Sequence, residues 1–214
     1  MPDPASQITD EALRDVGLLP FGAGKTLVIA CGALAREVLA IINLNGLDHI
    51  TLTCLPAILH NTPKDIPQAV ENAIIAHQDA YDHFLVAYGD CGTGGLLQAT
   101  CDRLGAVMID APHCYAFFDG TDQFIARGEV TSFFLTDFLA RQFDAFVWTP
   151  LGLDRYPDLR DMYFGNYENL VYLAQTDNAD LLAKAKVCAD RLGLNFEHRK
   201  TGYGDLTEFL NAKP

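Results

Sequence analysis

Basic residues are scarce in this chain. Lys plus Arg number 15 against 28 Asp plus Glu, a formal net charge of −13. A surface so acidic does not follow a nucleic-acid backbone or coat an anionic membrane, so no nucleic-acid partner and no polybasic membrane role is expected. Long apolar runs are absent too. None reaches the roughly 18–20 residues of a membrane span. Met1 to Leu13 lacks a basic region followed by an apolar one, so no secretory signal is expected and the cytoplasm is the expected compartment. In that reducing setting the six cysteines are not expected to pair as structural disulfides. They divide instead into buried small side chains, thiolate nucleophiles and metal ligands. No linker and no internal repeat breaks the sequence. With 214 residues, half hydrophobic and a fifth charged, the composition is globular, and a single α/β domain over residues 1–214 is expected.

Strand and helix signals alternate along the chain. Gln7 to Leu18 reads as a leading helix. Lys25–Ala30, Ile50–Cys54, His83–Tyr88 and Ala106–Asp110 are short, near-continuous apolar runs. Between them Ala33–Asn43 has helical periodicity and stops at Gly46, a helix opens at Asp65 or Pro67 and runs to about Asp79, and Leu96–Leu104 follows a glycine-rich turn. Continuous rather than alternating apolar strands are expected where helices cover both faces of a parallel sheet. Thr131–Phe146 reads as a phenylalanine-rich helix and Leu153–Asn166 as a loop. Asn169–Ala174 is a further strand, Ala179–Leu192 a helix capped by Asn178 and Gly193, and a last helix spans Asp205–Asn211. The expected fold is an open, doubly wound, mostly parallel sheet of five or six strands with helices on both faces.

Gly22-Ala-Gly-Lys-Thr26 has the look of a phosphate loop but fails its pattern. Position 19 is Leu where Gly is required, and the segment precedes its strand instead of following it. Three cysteines share a different context. Cys31 ends the first strand in ACGAL, Cys91 follows the third in YGDCGTGG, and Cys114 follows the fourth in APHC. The carboxyl ends of parallel strands lie on one edge, where ligands bind, so these thiols are expected to converge. Gly32, Gly92 and Gly94 keep side chains out of the way and are candidate ligand-binding positions. Each cysteine stands near a helix start, where the dipole favours a thiolate. His60, in LHNTP, reaches the same edge as a fourth metal ligand or a general acid–base, and His113 adjoins Cys114. Cys54 ends the second strand and can reach the same edge, but it lacks a glycine-rich setting. Cys101 and Cys188 fall within helices and read as fillers. Glu37 reads as exposed, and Asp90 and Asp110 flank the site.

ACGAL with Glu37 downstream, LHNTP, YGDCGTGG, and Cys114 followed by an aromatic–apolar run to Gly120 resemble an uncharacterised bacterial and archaeal domain-of-unknown-function family over roughly Leu27 to Gly152. Genes of that family often lie beside corrinoid-dependent methyltransferases. The resemblance implies that Cys31, His60, Cys91 and Cys114 occupy the family's motif positions. Where the family has a His-Asp-Cys order, this chain has Pro112-His113-Cys114.

Three readings follow. In the first, Cys31, Cys91 and Cys114, with His60 or an open position, hold zinc, or alternatively an iron–sulfur cluster, in corrinoid-linked methyl transfer, with corrinoid methyltransferase proteins as partners. In the second, Cys91 is the nucleophile of a metal-free isomerase or hydrolase with His60 or His113 as acid–base. In the third, the edge binds a small molecule without catalysis. Phe117, Phe118, Phe133 and Phe134 exceed what a small core needs, which predicts a homodimer that buries some of them.

Overall fold

The computed structural model describes residues 8–212, and the first residue of the expected leading helix, Gln7, lies outside them. The chain divides into two compact units. One takes the residues up to Phe117 and those from Tyr203 onward, and the other is Phe118–Gly202.

The first unit runs α1 (Asp10–Asp15), β1 (Leu18–Phe21), β2 (Thr26–Cys31), α2 (Ala35–Asn45), β3 (Ile50–Leu55), α3 (Ile66–His77), β4 (His83–Ala87), α4 (Leu96–Leu104) and β5 (Val107–Met108). The strand order is β1-β3-β2-β4-β5, with β1 antiparallel to β3 and every other pair parallel. Every residue of β2 is buried, which accounts for its unbroken apolar run. From β2 the chain steps through α2 to β3 on one side, then crosses through α3 to β4 on the other. Right-handed crossovers in opposite directions place α2 and α3 on opposite faces. α4 packs with α3.

The chain passes into the second unit within α5 (Ala116–Asp119) and continues as α6 (Thr121–Arg127), β6 (Ser132–Leu135), α7 (Asp137–Arg141), α8 (Leu159–Phe164), β7 (Asn169–Ala174), α9 (Ala179–Leu192) and β8 (Asn195–Lys200). α10 (Gly204–Asn211) returns to the first unit and packs on α2. β6-β7-β8 form a separate, wholly parallel sheet. Its core joins Leu135, Phe143, Leu170, Tyr172, Leu181 and Leu192.

The fold is the expected mixed α/β type with a five-stranded, mostly parallel sheet. The strands sort into two sheets where one was expected. The phenylalanine-rich segment is the main correction. Phe133 and Phe134 lie in strand β6, Thr136 caps α7 by accepting from the Leu139 N–H, and a π-helical turn at Asp144–Trp148 follows. Aromatic residues favour strands, and β6 pairs with β7 from Ser132↔Asn169 to Leu135↔Tyr172. The leading helix is also shorter than expected, because Gly17 (φ +88°) ends it and Leu18–Phe21 pairs at the sheet edge. The expected loop Leu153–Asn166 contains α8. Phe117, Phe118 and Phe134 are buried within the chain and Phe133 is partly buried, so the aromatic surplus behind the homodimer expectation is absorbed internally.

Candidate functional site

β2 ends in Cys31, and its neighbour β4 leads into Tyr88, Gly89, Asp90 and Cys91. The connections leave these two strands in opposite directions. Open α/β sheets bind ligands in the crevice at such a switch point. The segment after β5 adds a third arm. The Asp90 N–H donates to the Ala111 carbonyl (2.8 Å) and the Cys91 N–H to that of Pro112 (3.0 Å). Gly89 is required for this approach, because a Cβ there would lie 2.8 Å from the His113 carbonyl carbon. The arms bring Cys91 Sγ to 3.0 Å from Cys114 Sγ, and the Gly89 N–H points at Cys114 Sγ (3.5 Å). Cys91 has φ +48° and is the one non-glycine residue at positive φ among the described residues. Such backbone costs about 1–3 kcal/mol and concentrates at functional sites.

The two thiols are electrostatically unequal. The hydrogen bond from Cys114, with help from the Cys114 and Gly89 N–H groups, holds Cys91 below the usual thiol range against burial and the Asp90 charge. The same hydrogen bond, burial and the Cys91 charge push Cys114 well up. The contact thus favours the charged form at Cys91 and the neutral form at Cys114. Burial pushes Cys31 up to about 12, with Cys91 adding to the rise. Cys54 is also raised, by burial, by Cys31 and by Glu37. The Tyr88 phenol is 2 % exposed and is raised by burial and by all four thiols. Its hydroxyl lies close enough to Cys31 to favour the thiolate there, yet meets no partner in full hydrogen-bond geometry among the described residues.

Cys31, Cys91 and Cys114 therefore form one neighbourhood, and Cys54 and Tyr88 join it. Glu37 is 4 % exposed and faces the Cys54 side of the cluster, a correction of the exposed position expected for it. α2 docks that face inward, with Val38 and Ile41 also buried. His60, in a 3-10 turn after β3, keeps solvent access, while partial desolvation and His113 hold it below the ordinary histidine value. His113 stacks on Tyr115 at 4.9 Å and is lowered by burial against the opposing effect of Asp90. Gly32 is explained by packing, since a Cβ there would sit 2.1 Å from the Leu13 carbonyl oxygen. Gly92 (φ +86°) and Gly94 (φ +64°) shape an exposed turn. Cys101 and Cys188 are buried in α4 and α9, each pushed up to about 11 by burial.

Among the described residues, no group of three or more His, Cys, Asp or Glu side chains is arranged to hold a metal ion. Arms of about 2.3 Å around tetrahedral zinc would set sulfurs about 3.8 Å apart, wider than the Cys91–Cys114 contact. No helix among the described residues is long and apolar enough to cross a membrane.

Fold and site together define a doubly wound α/β protein with thiols gathered at the switch point of its sheet. The chain belongs to the family described as protein of unknown function (DUF1638), which it matches over residues 54–210. That span takes in Cys54, His60, Cys91, His113 and Cys114 and begins after Cys31. No curated protein and no solved structure matches the chain.

Proposed function

We propose that this chain is a cysteine-dependent protein whose Cys91 thiolate acts on a small electrophilic molecule at the switch point. The Cys91–Cys114 contact at 3.0 Å carries the reading, because a thiol donor at that distance stabilises a neighbouring thiolate. The strained backbone at Cys91 supports it. His60 and His113 are the acid–base candidates of the same site. The test is alkylation by iodoacetamide at neutral pH, with each cysteine mapped by mass spectrometry. Cys91 is expected to react at least about tenfold faster than Cys101 and Cys188, whose thiols stay protonated. Equal rates at the three would overturn the reading.

A second reading has its own support. Cys31, Cys54, Cys91 and Cys114 all act on the buried Tyr88 phenol, and four thiols in one neighbourhood are a soft donor set for zinc or an iron–sulfur cluster, with His60 a further candidate ligand. Metal analysis of anaerobically purified protein decides it. Stoichiometric metal that survives Cys101→Ala and is lost in Cys91→Ala would favour this reading, and metal-free wild type would end it. A thiolate or metal-bound thiolate is also a soft acceptor for a methyl group, so corrinoid-linked methyl transfer, with a corrinoid methyltransferase as partner, is part of the proposal. Homodimerisation rests on the edge strand β1, where Leu19 is 84 % and Phe21 40 % exposed. Light scattering at micromolar concentration is expected to give twice the chain mass, and a monomer mass would refute it.

A further inference from the structure

We infer that Cys91 and Cys114 are a two-cysteine exchange pair for small disulfides, with Cys91 the attacking and Cys114 the resolving residue. The inference rests on the thiolate reading and adds to it a substrate class and a role for Cys114. A disulfide bond is about 2.05 Å long, so closing the pair from 3.0 Å needs roughly 1 Å of sulfur movement. The backbone holds that approach. The two arms are joined by the Asp90–Ala111 and Cys91–Pro112 hydrogen bonds, and the Gly89 position leaves no room for a Cβ between them.

Cys91 is 6 % exposed, and the turn that follows it lies at the surface. A Cβ at Gly94 or Gly95 would meet nothing within 4 Å, and one at Gly92 would touch only the Pro63 ring at 3.6 Å. The turn that follows Cys91 is thus uncrowded at these positions. Cys114 is partly exposed.

The chemistry balances with a disulfide RSSR as the oxidant. The Cys91 thiolate attacks one sulfur, a Cys91–SR bond forms, the S–S bond of RSSR breaks, and RS⁻ leaves with the electron pair. That thiolate takes the Cys114 proton. The Cys114 thiolate then attacks the Cys91 sulfur, the intramolecular disulfide forms, and the second RS⁻ leaves and is protonated by water. The protein dithiol is oxidised by two electrons and RSSR is reduced to two thiols.

Oxidised glutathione is the probe. Reduced wild-type protein is treated with it and mapped by peptide mass spectrometry without reduction, beside the iodoacetamide map of the same sample. The expected product is a Cys91–Cys114 disulfide with both glutathione halves released. Cys114→Ser is expected to stop with glutathione on Cys91. A wild type that alkylates at Cys91 but keeps a stable glutathione there would overturn the exchange pair and leave the thiolate reading standing. A bond from Cys91 to Cys31 would overturn the role of Cys114. A Cys91 inert to both reagents would overturn both readings. The wild-type map decides the pairing even if Cys114→Ser fails to fold.

Discussion

Asp90 accepts hydrogen bonds from the Gly95 N–H (2.7 Å), the Gly94 N–H (3.1 Å) and the Thr93 hydroxyl (2.8 Å). The N–H groups of the turn that leads into α4 are thereby taken by a carboxylate one residue before Cys91. Asp90 is held below the ordinary aspartate value for that reason, the Gly95 N–H first. The turn that leads into α4 serves Asp90, and Cys91 is lowered by Cys114 and by backbone N–H groups. Asp90→Ala should cost about 1.5–3 kcal/mol, the range for hydrogen bonds to a charged group. It should also speed amide exchange at Gly94 and Gly95, and unchanged protection there would refute the assignment. Asp90→Asn keeps one acceptor oxygen and should recover part of the loss. Cys31, Cys91 and Cys114 were legible because each closes or follows a strand. Cys54 was legible too as the end of a strand on the same edge, whereas Tyr88 and Glu37 were not, because their approach depends on how α2 and the strands dock.

α9 shows how far local chemistry reaches. Asn178 accepts from the Asp180 and Leu181 N–H groups, and Gly193 (φ +64°) closes the helix. Asn178→Ala should cost about 1 kcal/mol in urea unfolding. Gly32→Ala is a different case. The new Cβ would sit 2.1 Å from a backbone oxygen of α1, and the chain must shift to admit it. A loss of about 1–3 kcal/mol is expected, with α1 displaced. A Cβ at Gly46 meets nothing within 4 Å, so Gly46→Ala carries only the cost of left-handed backbone, about 1 kcal/mol. Equal losses at 32 and 46 would refute the packing role. β6 marks the limit of local reading. Its aromatic run suits either element until β7 is present to pair with it.

At the scale of the molecule, each unit carries its own parallel sheet, and the second holds a charge network on its β8 strand. Arg199 donates to Asp119 (2.9 Å), to both Glu129 oxygens (2.9 and 3.1 Å) and to Glu197 (2.6 Å). Asp119 is also 3.4 Å from Arg127, and its side chain is only 3 % exposed. The hydrogen bond from Arg199 lowers Glu129 below the ordinary glutamate value. A lowered acid contributes stability that is fully present above its unfolded value and is lost as pH falls through its folded value. Unfolding free energy should therefore decline as pH falls below the ordinary glutamate range, and Arg199→Met should flatten that decline. The same variant should lose about 3 kcal/mol near neutrality, since it strips a buried carboxylate of its main partner. An unchanged pH profile in Arg199→Met would refute the coupling.

Local order was written in the sequence. Apolar runs marked β2, β3, β4 and β7, and glycine and asparagine marked the ends of α2 and α9, because short-range hydrogen bonding and side-chain periodicity decide such elements. The convergence of Cys31, Cys91 and Cys114 was legible as well, since parallel strands must share one carboxyl edge. The tertiary structure alone decided what touches what. Pairing between distant segments split the strands into two sheets and made β6 a strand. Docking of α2 buried Glu37. The two hydrogen bonds between the arms set Cys91 against Cys114 at 3.0 Å. Such contacts join residues far apart in the chain, and their energies depend on register and burial, which no local pattern encodes.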